Sequence, residues 1–375
     1  MYSFKRTEEQ ELLLESLQEM MKEFPADYWQ MCDEERHFPT EWYERMVECG
    51  FHLLGLPEEI GGTPIDAVTH MMFIAEVGRL GGPVTLMGNF LRIRNALSFG
   101  TEEQLMDVLK AAEKGPLSFA VGSSEPQSGS DSKAITTRAV KRDGKVYITG
   151  RKTFISHALH TPKMMAACID DDGNVTLYLV PLDAPGVTMT DIHKIGFKCS
   201  STCEVYLDNV EVEESDRFGP EGRGFYCLME NYGYERLVIA AQALGYAECA
   251  YEEAMRYVNQ REQFGKPIAS FQLTQQKALE MFLRIENMKN LLFKGAWNLD
   301  QGIEDFVFPN AVKYYCTREG HKVIDDAMSM MGGIGCTDDC QISRLWRDAR
   351  MFRITGGTDE IMIHAAGRGL LRRFK

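Results

Sequence analysis

The sequence predicts an α+β multidomain fold: an N-terminal helical domain over residues 1–114, a middle β domain over 115–222 and a C-terminal four-helix-bundle-like domain over 223–375. Three observations predict it. Apolar residues recur at helical spacing on both flanks of the chain, and short β-branched and aromatic runs separated by turn residues fill the middle. The order helix, β, helix also lacks the alternating strand and helix units of a doubly wound sheet.

Over residues 8–114, Leu12, Leu13, Leu17, Met20 and Met21 lie on one helix face. Pro39, Pro57, Gly61, Gly62, Pro64, Gly81, Gly82 and Pro83 divide this stretch into several helices. In the middle region, Asp143-Gly144 joins strands at 136–140 and 146–149, because an Asp-Gly pair readily takes the positive φ angles of a tight hairpin. Residues 175–180 and 203–212 read as further strands. Helical periodicity then returns over 225–260, 271–299 and 311–331, enough for a bundle of four or five helices. No G-x-G-x-x-G follows a strand and no Walker A sequence is present, so a nucleotide must be held in another way.

Composition narrows the function. The formal charge of −14 works against nucleic acid and anionic membranes, and no apolar tract reaches the ~20 residues of a membrane span. Met1 to Arg6 runs into Glu8 and Glu9 without the apolar stretch of an export signal, so the expected location is cytoplasmic and the ten cysteines read as free thiols. Cys199 and Cys203, Cys336 and Cys340, and His157 and His160 each lack a matching second pair, so no metal site is expected.

Four features could carry chemistry. Phe225, Leu228, Tyr232, Glu235, Ile239, Gln242 and Tyr246 follow one side of a helix and place Glu235 on a mostly apolar face. Its helical neighbours Asn231, Tyr232, Val238 and Ile239 include no cation, so it has no local ion pair. These residues leave two roles open: a structural carboxylate paired with an arginine from another helix, or a general base able to hold a proton. The loop from Ser123 to Asp131 is dense in hydroxyls and backbone donors, and serves equally as a ligand cradle or a solvated linker. Gly265 and Pro267 read as the C-cap and stop of a long helix, and leave Arg261 free to cap carbonyls or hold a pyrophosphate. Gly332-Gly333-Ile334-Gly335 and Gly356-Gly357 form close backbone approaches or turns, and Thr358 reads as an N-cap ahead of Asp359 and Glu360.

Taken in order, these pieces resemble the acyl-CoA dehydrogenase family from Glu8 to the C-terminus. Ser124-Glu125-Pro126 with Gly129-Ser130-Asp131 resembles its T-E-P-x-x-G-S-D flavin signature. Lys152-Thr153-Phe154-Ile155-Ser156 resembles its K-x-W-I-T strand, and Asn259-Gln260-Arg261 with Phe264-Gly265 its N-R-x-x-F-G turn. The glycines at 332–335 and the run from Leu345 to Arg350 complete the match. The resemblance implies FAD between the domains of a homotetramer. Ser124, Gly129, Ser130, Phe154 and Ser156 would line the flavin, and Arg261, Phe264 and Gln272 would reach its adenine end from a neighbouring subunit, with Gly332, Gly333 and Thr358 nearby. Ser130, Arg236 and Gly356 would meet the substrate, an acyl-CoA or 2-enoyl-CoA, and an electron-transferring flavoprotein would be the redox partner.

Departures from the pattern sharpen this reading. Most members carry a catalytic Glu where this chain has Gly356, whereas a minority carry it on a helix just before an Arg, as Glu235-Arg236 does. Gly356, the Asp208 to Val212 stretch and the Gly356 to Glu360 stretch resemble the crotonobetainyl-CoA reductase group and its anaerobic enterobacterial relatives, which opens the reductive direction. Ser329 replaces a usual Gln and Gly233 a usual acid. Two other classes stay open: a catalytically inactive flavin- or acyl-CoA-binding member acting in complex assembly, and a flavin oxidase or monooxygenase.

Overall fold

The computed structural model describes residues 5–83 and 88–374; Met1 to Phe4, where the reading of the chain's start begins, lie outside them. Helix α1 (Glu8–Met21) opens with a reciprocal cap between Thr7 and Gln10. Helices α2 (Ala26–Glu34), α3 (Thr40–Glu48), α4 (Ala67–Arg79), α5 (Asn89–Phe99) and α6 (Glu102–Ala112) complete the first helical stretch.

Strands β1 (Ala120–Gly122), β2 (Arg138–Arg142), β3 (Lys145–Ser156), β4 (Lys163–Ile169), β5 (Val175–Pro181), β6 (Val187–Asp191), β7 (Thr202–Val212) and β8 (Arg217–Phe218) form one sheet in the order β6-β7-β3-β2-β4-β5-β8, with β1 beside β4. The β2–β3 hairpin turns at Asp143 (φ 53°) and Gly144 (φ 77°), the positive pair the sequence predicts. Ile148, Val205 and Val180 belong to one buried face. Leu177, Leu179 and Met165 belong to the other, which packs on Leu91, Ile93 and Val108 of α5 and α6.

The second helical stretch comprises α7 (Gly224–Met229), α8 (Tyr232–Gln260), α9 (Gln272–Asp300), α10 (Val307–Met331), α11 (Gln341–Phe352) and α12 (Asp359–Arg372). It shares a continuous core with the first: Leu17, Trp42 and Phe73 pack in one cluster with Leu244, Ala250, Met288 and Ile324. Helices α4 and α8 touch backbone to backbone, since a Cβ on Gly78 would lie 3.2 Å from Gly245 Cα. Among the described residues no helix is long and apolar enough to cross a membrane, and all ten cysteines are free.

Two sequence expectations change. The helix expected over 225–260 breaks at Glu230 and Asn231, so Glu235 falls in the first turn of α8 rather than mid-helix. The break has a tertiary cause: Asn231 accepts a hydrogen bond from Arg94 Nε at 3.4 Å and donates to Asn95 Oδ1, which ties this turn to α5. Gly265 is not a helix C-cap. Arg261 ends α8, and Phe264 (φ 54°) with Gly265 (φ 75°) forms the tight turn between β9 (Glu262–Gln263) and β10 (Lys266–Pro267).

Candidate active site

Glu235 is half-buried and makes no ion pair among the described residues. Its carboxylate lies beside the turn that precedes α12. A Cβ built on Gly356 would meet Ile239 Cδ1 and stand 4.0 Å from Glu235 Oε1. The helix carboxylate therefore lies at contact distance from the point where a side chain at position 356 would begin, and Ile239 fills the nearer space. Gly356 (φ 62°) and Gly357 (φ 107°) both hold backbone angles that favour glycine.

Three cations act on Glu235 or feel its charge. Burial lowers the pKa of Arg92 on α5, and Glu235 partly offsets this. Burial also lowers that of Arg236, again opposed by Glu235; its guanidinium lies over the rings of Tyr232 at 5.2 Å and Phe306 at 5.8 Å. Lys313, on α10, is fully buried and donates from Nζ to Gly357 O at 2.6 Å. Burial pushes the Lys313 ammonium down to about 8, with Asp359 opposing and Arg236 reinforcing the fall. Asp359 itself is held by Arg353 at 2.6 and 2.9 Å.

The loop before β2 is built on a buried carboxylate. Glu125 accepts from Lys152 Nζ at 2.7 Å, Thr136 N at 2.7 Å and Thr137 Oγ1 at 2.6 Å, which fixes the loop against β2 and β3. Thr153 N donates to Ser124 O at 3.0 Å, binding the loop to the strand one residue before Phe154. Gly129, Ser130 and Ser156 are exposed and Ser124 is half-buried. Phe154 is 67% exposed although its φ is 57°, so the structure displays an aromatic ring at a conformation that disfavours it.

Arg261, Phe264 and Gln272 lie elsewhere. At about 1.5 Å per residue, Arg261 is about 39 Å along α8 from Glu235. Helix α10 runs parallel to α8: Lys313 lies near Glu235, and a Cβ on Gly320 would stand 2.9 Å from Ala243 O. Gly332 and Gly333, just past the C-terminus of α10, therefore lie toward the Arg261 end. Thr358 instead caps α12 beside Gly357, near Glu235.

The family descriptions "Acyl-CoA dehydrogenase, N-terminal domain", "middle domain" and "C-terminal domain" match residues 7–115, 120–210 and 222–371. The chain belongs to the acyl-CoA dehydrogenase family. It is 45% identical to the probable acyl-CoA dehydrogenase YdiO of Escherichia coli, over 99% of both chains. The butyryl-CoA dehydrogenase of Megasphaera elsdenii superposes with a TM-score of 0.92 at 27% identity, over 99% of this chain and 100% of that one. An acyl-CoA dehydrogenase from Geobacillus kaustophilus gives a TM-score of 0.91 at 28% identity, over 98% and 100%. Acyl-CoA dehydrogenases are FAD-dependent oxidoreductases acting on CH–CH bonds. The residues here fit the cofactor: a flat ring system would find an exposed aromatic in Phe154, and the Glu125-anchored loop carries exposed Gly129 and Ser130.

Of the two departures, Ser329 turns its hydroxyl back onto Asp325 O at 3.0 Å, while Gly233 faces Pro309, whose Cγ would lie 4.0 Å from an added Cβ. Sequence reasoning missed Lys313 and Arg92. Both sit on helices far from Glu235 in sequence, and only packing brings them to it. Lys313→Met is expected to loosen the Gly356–Gly357 turn and lower kcat by about tenfold, the cost of roughly one lost charged hydrogen bond. Stopped-flow reduction of the bound flavin measures it; an unchanged rate constant would remove Lys313 from the site.

Proposed function

We propose that the protein interconverts an acyl-CoA thioester and its 2-enoyl-CoA, with Glu235 taking the α-proton during oxidation and returning it during reduction. The observation that carries this reading is the 4.0 Å approach of Glu235 Oε1 to the Cβ position of Gly356, the place from which the usual loop carboxylate of the family would extend. The thioester carbonyl acidifies the α-carbon, and a backbone donor such as the Gly356 N–H stabilises the negative charge that develops on oxygen. Lys313 holds that turn through Gly357 O. The nearby positive charges of Arg92, Arg236 and Lys313 favour an enolate-like arrangement over the neutral ester. Ile239 is buried against the Gly356 turn on the same helix face.

Ser124, Gly129, Ser130, Phe154 and Ser156 would hold FAD, which when bound takes up or gives back the hydride at the β-carbon. Arg261, Phe264 and Gln272, at the far end of α8 and beyond it, would meet a cofactor held by another copy of the chain in a homotetramer. Exposed Phe264 (93%) and Leu273 (78%) support that assembly. Electrons would pass to or from an electron-transferring flavoprotein in the cytoplasm, and the Gly356 motif shared with the reductase group supports the reductive direction. Anaerobic addition of acyl-CoA to the FAD-loaded protein should bleach the yellow flavin band, and 2-enoyl-CoA should restore it after chemical reduction. A band unmoved by any acyl-CoA would favour a binding protein that acts in complex assembly.

A further inference from the structure

Arg92 stands where α5 meets the first turn of α8. Its Nε donates to Phe119 O at 3.2 Å, and its guanidinium lies over the Phe119 ring at 5.8 Å, so the group is held by one edge and one face. The next residues of α5 are tied to the Glu235 helix through Arg94, Asn95 and Asn231. Arg92 has no carboxylate partner at ion-pair distance among the described residues, and the charge that acts on it is that of Glu235. It is enclosed, yet keeps accessible surface. Its terminal nitrogens are not among the buried polar atoms that lack a hydrogen-bond partner.

Positive charge gathers around Glu235. Arg92, Arg236 and Lys313 all feel its charge; Lys313 is also opposed by Asp359, which is itself held by Arg353. A plain alkyl chain laid against Arg92 would strip water from the guanidinium and return no hydrogen bond. A trimethylammonium group would meet like charge. A carboxylate could accept two parallel hydrogen bonds from the free edge. We propose that Arg92 reads the far end of the acyl group, and that the substrate is an acyl-CoA bearing a distal carboxylate a few carbons beyond the thioester. The inference rests on Glu235 as base, since that places the α-carbon beside Glu235 and directs the rest of the chain toward α5.

Three CoA esters of similar length test it: glutaryl-CoA, pentanoyl-CoA and 4-trimethylammoniobutanoyl-CoA. Each is titrated anaerobically into the FAD-loaded Glu235→Gln protein, with affinity read from the perturbed flavin band. Glutaryl-CoA should bind on the order of tenfold to a hundredfold more tightly than pentanoyl-CoA, and the cationic ester should bind weakest. Adding Arg92→Leu should bring the glutaryl-to-pentanoyl ratio to about one, whereas Arg92→Lys should keep part of it. Equal affinities with Arg92 present, or a ratio that survives Arg92→Leu, overturns the proposal. A folding defect lowers FAD content and weakens all three esters together, so the ratio still reports on Arg92. Turnover that persists in Glu235→Gln alone sinks the base assignment and leaves the affinity ratio as a separate result.

Discussion

Glu235→Gln is expected to lower acyl-CoA turnover by about a thousandfold while FAD content stays close to that of the unchanged protein. The substitution keeps the shape of the side chain and removes its ability to accept a proton. No ion pair is broken, because Glu235 has none among the described residues, so the folding cost should stay small. The three neighbouring cations lose a countercharge, and Lys313 should then titrate below about 8. Glu235→Asp should fall between the two, since it retains the carboxylate but withdraws it from Gly356 by one methylene. No other carboxylate at this turn is free to substitute: Asp359 is locked by Arg353, and Glu360 is exposed. Rapid-mixing measurement of flavin reduction under anaerobic conditions reads the chemical step directly. A rate within a few-fold of the parent would place the base elsewhere.

The fold was legible because its signals are local. Helical periodicity marked α9 and α10 to within a few residues, and Asp143-Gly144 marked the β2–β3 hairpin. What periodicity could not show was the break at Asn231, because its cause is a pair of hydrogen bonds to α5, some 130 residues away in sequence. Gly265 misled for a related reason: a positive-φ glycine after a helix serves a C-cap or a tight hairpin equally well, and only the pairing of Glu262 with Pro267 decides. The site divides in the same way. Glu235 was visible as a carboxylate in an apolar stripe, and the glycine at 356 as a gap in a family pattern. Their juxtaposition, and the cations Arg92 and Lys313 around them, are products of helix packing and have no signature along the chain.

The other large effect concerns stability. Lys152 and Glu125 form a fully buried ion pair, with side chains 0% and 1% exposed. Lys152 Nζ also donates to Ala167 O at 2.6 Å. Lys152→Met should destabilise the protein by about 3–5 kcal/mol, since the carboxylate keeps its desolvation cost and loses its countercharge. Glu125→Gln added to Lys152→Met should recover part of that loss, because it removes the stranded charge. The pH dependence has a definite sign. Burial alone would raise the Glu125 pKa, but the hydrogen bond and charge of Lys152, with the hydrogen bonds of Thr137 and Thr136, hold it at about 2 against an ordinary 4.5. The pair therefore contributes fully above pH 4.5, and that contribution fades as pH falls toward 2. Urea unfolding should show the widest gap between parent and Lys152→Met near neutrality, and a narrowing gap through that acidic window. Because the same carboxylate anchors the loop bearing Ser124, Gly129 and Ser130, FAD affinity should fall together with stability. A variant as stable as the parent at pH 7, or a gap that stays constant down to pH 3, would show that the loop is held by its threonine hydrogen bonds without help from the lysine.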